Sequence, residues 1–290
     1  MASPATTTTA VAFDKILNFR DVGAFVNATD NKTLLRTGLF YRSARLDSAT
    51  PADQHKLIKQ YGVNTVIDLR TPTEHIEARK EYATTGASTL DPKYPLHIQG
   101  LTYRHVNFNG SAYSSALIKQ LSYWHAAKLA GLYVFGFRKE AISVLGTNVM
   151  AARGLAGLAE DSLEHCTAEV KAVFDVLADD SAYPVIVHCT QGKDRTGLIT
   201  LLVLLTLGVP IDVIEKDYRK SEPELEPERA EKLVGIRSIG LPDTFADCPA
   251  DWVTSVHGFI TDTYGSAEEY LIKCGVTEEQ ITALKNKLSA

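Results

Sequence analysis

The segment His188-Cys189-Thr190-Gln191-Gly192-Lys193-Asp194-Arg195-Thr196-Gly197 constrains this chain more than any other. The apolar run Tyr183-Pro184-Val185-Ile186-Val187 precedes it and reads as a buried strand. Leu198 to Leu205 follows and reads as a buried helix. A strand that enters a helix through so short a loop turns backbone N–H groups toward one point, where the helix dipole adds partial positive charge. The segment is therefore a cradle for an anion. Cys189 stands at its lip, placed to act as a thiolate nucleophile. Five residues separate Cys189 from Arg195, enough for the chain to curl round one tetrahedral oxyanion. The amides of Thr190, Gln191, Gly192, Lys193, Asp194 and Arg195 would then face its oxygens. Arg195 would close the ring with a planar, bidentate fork that lysine cannot supply. Gly192 permits a backbone geometry that a Cβ would obstruct.

The spacing resembles the Cys-x5-Arg signature of the cysteine-dependent phosphatases. That resemblance implies attack of Cys189 on phosphorus, a phosphocysteine intermediate and its hydrolysis by water, with no metal or cofactor. Arg195 and the loop amides would meet the charge on the equatorial oxygens. Thr196 would hydrogen-bond the sulfur and ease its departure, and His188 would orient the loop and favour the thiolate. A second His-Cys pair, His165-Cys166, is a control: Ala172 stands where the arginine belongs, so Cys166 reads as a buried, neutral thiol. A Walker A reading fails because Asp194 follows Gly192-Lys193 and Val187 occupies the first glycine position. Rhodanese-like sulfur transfer does not demand this arginine spacing. A phosphate-binding module with feeble turnover stays open.

The longer pattern His-Cys-x-x-Gly-Lys-Asp-Arg-Thr-Gly resembles a tyrosine phosphatase family with bacterial and fungal members. Asn18-Phe19-Arg20-Asp21-Val22-Gly23, Leu39 to Ala44 with Leu46, Val66-Ile67-Asp68-Leu69-Arg70, Asp217-Tyr218, and Tyr264-Gly265-Ser266 with Tyr270-Leu271 match its other segments. The resemblance implies a phosphatase domain acting on phosphotyrosine, with phosphoserine, phosphothreonine or phosphoinositides as further substrates. Many cysteine phosphatases also carry a general-acid aspartate on a separate loop. The comparable stretch here, Tyr103 to Gly110, has Asn107 and Asn109 but no carboxylate. Asp194 inside the loop is then the first candidate acid, the alternative being a brace of the loop. Asp68 is a weaker candidate acid; within its strand it reads rather as a structural partner of Arg70, Arg20 or Arg42. Lys193 either contacts substrate phosphate or is solvated beside the loop.

The 290 residues suffice for one domain with a full core, and 45% of them are hydrophobic, which argues for a globular chain. A net charge of −5 offers no basic field for nucleic acid. The partners implied are phosphorylated proteins or phosphoinositides. Cysteines 166, 189, 248 and 274 show neither metal-ligand nor disulfide spacing. A working Cys189 must stay reduced, so a cytoplasmic location is expected. Residues 1–10 read as a disordered tail rather than a signal peptide. The run from Leu198 is too short for a transmembrane segment.

Strand and helix signals alternate, predicting an α/β fold with a central, mostly parallel, phosphatase-like sheet flanked by helices. Strands are expected at Leu39–Arg42, Thr65–Arg70, Tyr103–Phe108 and Tyr183–His188. Thr50-Pro51 and Thr71-Pro72 mark helix starts. Thr71-x-x-Glu74, Ser266-x-x-Glu269 and Thr277-x-x-Gln280 are capping boxes. A single phosphatase domain over 11–290 is expected, with a helical insertion over 110–179 ahead of the catalytic strand. The insertion's aromatics are expected to be buried in helix packing, with a substrate wall or lid as the alternative. Residues 221–243 read as a solvated helix face or a second lid.

Overall fold

The computed structural model describes residues 13–84 and 96–290, so the expected N-terminal tail lies outside the described residues. The strands are β1 (Arg20–Asp21), β2 (Phe40–Ser43), β3 (Thr65–Asp68), β4 (Thr102–His105) and β5 (Val185–His188). They form one sheet in the order β1-β2-β5-β3-β4. Only the β1–β2 pairing is antiparallel. The expected α/β fold is therefore observed.

The helices are α1 (Val22–Asp30), α2 (Pro51–His55), α3 (Pro72–Thr84), α4 (Ser111–Lys119), α5 (Tyr123–Val134), α6 (Arg138–Leu145), α7 (Ala151–His165), α8 (Thr167–Leu177), α9 (Asp194–Thr206), α10 (Ile211–Arg219), α11 (Ser221–Glu224), α12 (Arg229–Ser238), α13 (Trp252–Tyr264), α14 (Ala267–Lys273) and α15 (Glu278–Leu288). Proline starts α2 after Thr50, whose hydroxyl accepts from the Asp53 amide while the Asp53 carboxylate accepts from the Thr50 amide. Thr277 and Gln280 form the same reciprocal cap on α15.

β5 is the centre of the sheet, and both its faces are dry. Val185 and Val187 point into a core shared with Phe40, Ile67, α8, α9 and α13; Ile186 points the other way, to Tyr41, Val66, Leu57 and Ile98. A parallel strand covered on both sides must read as an unbroken apolar run, which is why Val185-Ile186-Val187 was legible. Ten of the thirteen residues of α9 are buried, between the sheet and the helices α7, α10 and α14. The pairing register aligns Ser43, His188 and Asp68 across neighbouring strands, with His105 beside Asp68. The carboxyl ends of four parallel strands thus form one edge, where α/β sheets place ligands.

Two expectations change, and one strand is new. The strand expected over Tyr103–Phe108 ends at His105, and Phe108 turns into the core. β1 escaped notice because two residues carry no readable period. The aromatics of α5 and of the turn into α6 are not buried: Tyr123, Trp124 and Phe135 are each 78–79% exposed. The helix α5 leans chiefly on α6, and no residue of it is buried among the described residues.

The helical run Arg138–His165 is long and apolar enough to cross a membrane. It bends at Gly154 (φ +63°), and its second half buries Leu163 and carries Asp161 in a pair with Arg153. It is a bent helix of the packed domain.

Candidate active site

His188 ends β5, and the loop Cys189–Lys193 leads into the N-terminus of α9. The carbonyls of Thr190, Gln191 and Gly192 are each held by a donor from outside the loop. The Arg45 amide donates to Thr190 O (3.0 Å). Asn18 Nδ2 donates to Gln191 O (3.0 Å) and Gly192 O (3.1 Å), and Arg42 Nη2 also donates to Gly192 O (2.7 Å). With the carbonyls held on the outside, the amides face inward. Among the described residues, the amides of residues 190–195 donate to no protein acceptor. Gly192 has φ +66°, and a Cβ there would stand 2.0 Å from Ser43 O, so the curl requires glycine.

The groups that pin the loop are themselves buried and paired. Arg42 Nη1 and Arg20 Nε donate to the two oxygens of Asp217 on α10 (2.5 and 2.6 Å). Burial alone would raise the Asp217 carboxyl; Arg20 and Arg42 hold it below the ordinary range. Arg20 also donates to Asn18 Oδ1 (2.5 Å), orienting the side chain that holds the loop. Sequence reasoning placed Asp68 with Arg70, Arg20 or Arg42. It pairs with Arg70, whereas Arg20 and Arg42 belong to Asp217.

Arg195 is clamped by a residue the sequence reading left out of the site. Its Nη1 and Nη2 donate to Glu74 Oε2 (2.7 Å) and Oε1 (2.6 Å), and Nη1 also to Leu69 O (3.2 Å). The Thr190 hydroxyl donates to the same Glu74 Oε1. One carboxylate therefore ties the first and last residues of the curl together. Burial would push the Glu74 carboxyl up, but Arg195, Thr190 and the Thr71 amide hold it down at about 2. Glu74 was visible only as the third residue of the capping box on α3, where it does accept from the Thr71 amide (2.9 Å). Its second role depends on tertiary contact. Among the described residues Arg195 Nε makes no hydrogen bond, which leaves a side-on fork of Nε and Nη2 for a second oxyanion.

Cys189 is 2% exposed. Burial pushes the other three thiols up, Cys166 to about 12 and Cys248 and Cys274 to about 11. Cys166 donates to Asn109 Oδ1 (3.4 Å), which fits a neutral thiol. His188 is fully buried, and its Nδ1 donates to Cys189 O (3.0 Å). Desolvation lowers its pKa against the opposing charge of Asp68, 3.5 Å from Nε2. His188 thus supports the loop through geometry. Thr196 Oγ1 is buried without a partner among the described residues.

Lys193 corrects its expectation. It is neither solvated nor turned to the anion: its side chain is 0% exposed, and Nζ donates to Asp247 O (2.7 Å) and Phe245 O (3.2 Å). Only its backbone amide remains with the cradle. Asp194, the first residue of α9, is 46% exposed at its side chain, with Oδ1 3.1 Å from Lys193 Nζ.

Two cavities flank the loop and share Gln191, Lys232 and Gly235. The larger, 360 Å³, is walled by Tyr113, Leu198, Phe245 and Trp252, with Asp194 and Arg195 at its floor. The second, 330 Å³, is lined by Arg45, Arg70, Glu74, Glu77 and Thr190. Ile236, Ile239 and Leu241 roof the first, so residues 221–243 are not merely a solvated face. Arg45 Nη1 and Nη2 grip Glu228 (2.8 and 3.0 Å), fastening this roof to the turn that holds Thr190 O.

Asp68, His75 and His105 bring ligand-type atoms within 4.8 Å of one another. Arg70 donates to both Asp68 oxygens, so a cation there would have to displace a guanidinium.

A cysteine-bearing loop after a central parallel strand, with an arginine at its end, has the form of a cysteine-dependent phosphatase site. Residues 11–290 match the model of the tyrosine phosphatase family, and the chain belongs to that family. It is similar to a tyrosine-protein phosphatase of Nostoc commune, 32% identical over 52% of this chain and 58% of that protein, less than two thirds of its length. It is also similar to the triple specificity protein phosphatase PtpB of Mycobacterium tuberculosis, 25% identical over 93% of this chain and 96% of that protein. A putative tyrosine-protein phosphatase of Cupriavidus necator is 26% identical over 90% and 82%.

Replacing Glu74 with glutamine removes the charge that squares Arg195 to the loop while keeping its size. The expected result is a drop in kcat/KM on p-nitrophenyl phosphate of about 10²-fold, the cost of a misplaced catalytic group. Unchanged kcat/KM would show that Arg195 needs no clamp. In the wild type the pair persists to acid pH. A carboxyl held at about 2 against an ordinary 4.5 contributes stability that is present above 4.5 and lost as pH falls toward 2.

Proposed function

We propose that the protein hydrolyses phosphate monoesters through a phosphocysteine, with phosphotyrosine the preferred group. The reading rests on the fixed outward carbonyls of residues 190–192, which leave a ring of amides free for one oxyanion. Cys189 Sγ attacks phosphorus in line; the amides and the open fork of Arg195 take the equatorial oxygens. The phosphoryl group passes to sulfur as the leaving oxygen gains a proton, and water then releases phosphate. Thr196 Oγ1 is in reserve for the departing sulfur. His188 is a positioning residue.

Asp194 is the proton donor in this reading. Among the described residues it is the only carboxyl lining the larger cavity. Glu74 is committed to Arg195, and Asp68 to Arg70 behind the loop. Asn109, in the left-handed conformation (φ +65°), offers its oxygen to Ser162 (2.9 Å) and cannot take the role. Asp194→Asn is expected to lower turnover of a phosphotyrosyl peptide by about 10²-fold or more, but that of p-nitrophenyl phosphate by less than about tenfold, since the latter leaving group needs little protonation. Equal losses on both would remove Asp194 as the acid.

An apolar, aromatic-walled cavity beside the cradle suits an aryl leaving group, which favours phosphotyrosine. The relative named for triple specificity supports testing phosphoserine, phosphothreonine and phosphoinositides beside it. Phosphate release from a panel of phosphotyrosyl peptides and phosphoinositides tests the reading. Faster release from the peptides supports it; release from the lipids alone overturns the preference. Function in a reducing compartment such as the cytoplasm belongs to the same proposal, because Cys189 works only when reduced.

A further inference from the structure

α5 and α6 present a surface that the catalytic reading does not use. Tyr123, Trp124, Tyr133, Val134, Phe135 and Phe137 are all more than half exposed on this one hairpin. Soluble proteins rarely expose so many large apolar side chains on one hairpin without a partner for them. The charge around it is distinctive as well. Residues 111–150 carry Lys119, Lys128, Arg138 and Lys139 against Glu140 alone, in a chain whose net charge is −5. Lys128, Arg138 and Lys139 are exposed, and Arg138 lies 5.8 Å from the Tyr133 ring. Tryptophan, tyrosine and phenylalanine interleaved with cations is the composition that seats in the headgroup layer of an anionic bilayer.

We propose that the α5–α6 hairpin is a docking surface for anionic phospholipid membranes. Trp124, Phe135 and Phe137 enter the boundary between headgroups and acyl chains, while Lys128, Arg138 and Lys139 meet the lipid phosphates. The local positive charge answers a negative surface that the acidic remainder of the chain would avoid. The hairpin is rooted close to the site. The turn after α6 packs so tightly on the roof that a Cβ on Gly146 would lie 2.0 Å from Ile239 O. Ile239 lines the larger cavity, so docking would hold the phosphatase site beside the membrane.

The test is flotation of the full chain with vesicles of phosphatidylcholine alone and of phosphatidylcholine with phosphatidylserine. The expected result is binding to the phosphatidylserine vesicles, weakened by salt, with a blue shift of tryptophan emission. The chain has two tryptophans, and Trp252 is only 1% exposed, so the shift reports Trp124. Lys128→Glu/Lys139→Glu should lower partitioning at least about tenfold, since each surface cation is worth about fivefold. Trp124→Ala/Phe135→Ala/Phe137→Ala should abolish the blue shift and most of the binding. Both variants should keep wild-type turnover of p-nitrophenyl phosphate, which shows that they fold. Cys189→Ser should bind vesicles like the wild type, so failure of the catalytic reading and failure of this one are distinguishable. Absence of wild-type binding, or equal binding by both variants, would overturn the proposal. So would self-association in sedimentation velocity that the triple variant abolishes, without vesicle binding, because the face would then join two copies of this chain.

Discussion

Cys189→Ser is expected to lower kcat on p-nitrophenyl phosphate by about 10⁴-fold or more, the scale of removing a nucleophile from a preorganised site. The side chain is almost enclosed, at 2% exposure, and serine nearly conserves its volume, so the loop should keep its shape. Phosphate binding should therefore survive while turnover disappears. A hydroxyl has far less anionic character at neutral pH than a thiol, and Arg195 with the loop amides stabilises an anion that serine does not supply. The check is steady-state kinetics alongside the affinity for inorganic phosphate measured by calorimetry. Appreciable turnover in the serine variant would rule out a covalent route. Cys166, Cys248 and Cys274 cannot substitute, because burial holds their thiols neutral.

Asp217→Ala is expected to destabilise the fold by about 3–5 kcal/mol, the cost of leaving buried charges without their partner. Asp217 and Arg42 are each 1% exposed and Arg20 is 8% exposed at the side chain, so water cannot replace the carboxylate. The damage should reach the active site along a defined route. Arg42 holds Gly192 O, and Arg20 orients Asn18, which holds Gln191 O and Gly192 O. Urea unfolding monitored by circular dichroism measures the stability. The activity of the folded fraction should fall as well, since freed carbonyls can turn inward and close the anion cradle. A loss below about 1 kcal/mol would mean that the cluster is no more than an exposed ion pair in effect.

The sequence made the centre of the fold legible and left its edges dark. A parallel strand buried on both faces writes itself as Val185-Ile186-Val187, and helices with side-chain caps announce their first turns. The candidate loop was legible because its pattern is local: the cysteine, glycine and arginine lie within seven residues, 189–195. What escaped was everything that depends on distant chain. Glu74 is a helix cap by sequence and a guanidinium clamp by tertiary contact, 121 residues from Arg195. Lys193 looked free because the carbonyls of Phe245 and Asp247 that receive it lie more than fifty residues on. Asn18 gave no chemical signal, yet it holds two loop carbonyls from 173 and 174 residues away. The aromatics of α5 misled for a different reason. Aromatic content predicts burial on average, but it cannot say whether a helix has a neighbour on its outer side.

The most direct test of the central claim is to catch the covalent intermediate. The wild-type protein is mixed with p-nitrophenyl phosphate, quenched in acid within the first turnovers, digested and read by mass spectrometry. One phosphoryl group on the peptide that carries Cys189, absent from the Cys189→Ser protein, is the predicted result. Turnover at full rate with no phosphoryl group on Cys189 at any quench time, or with the group on another residue, would contradict it.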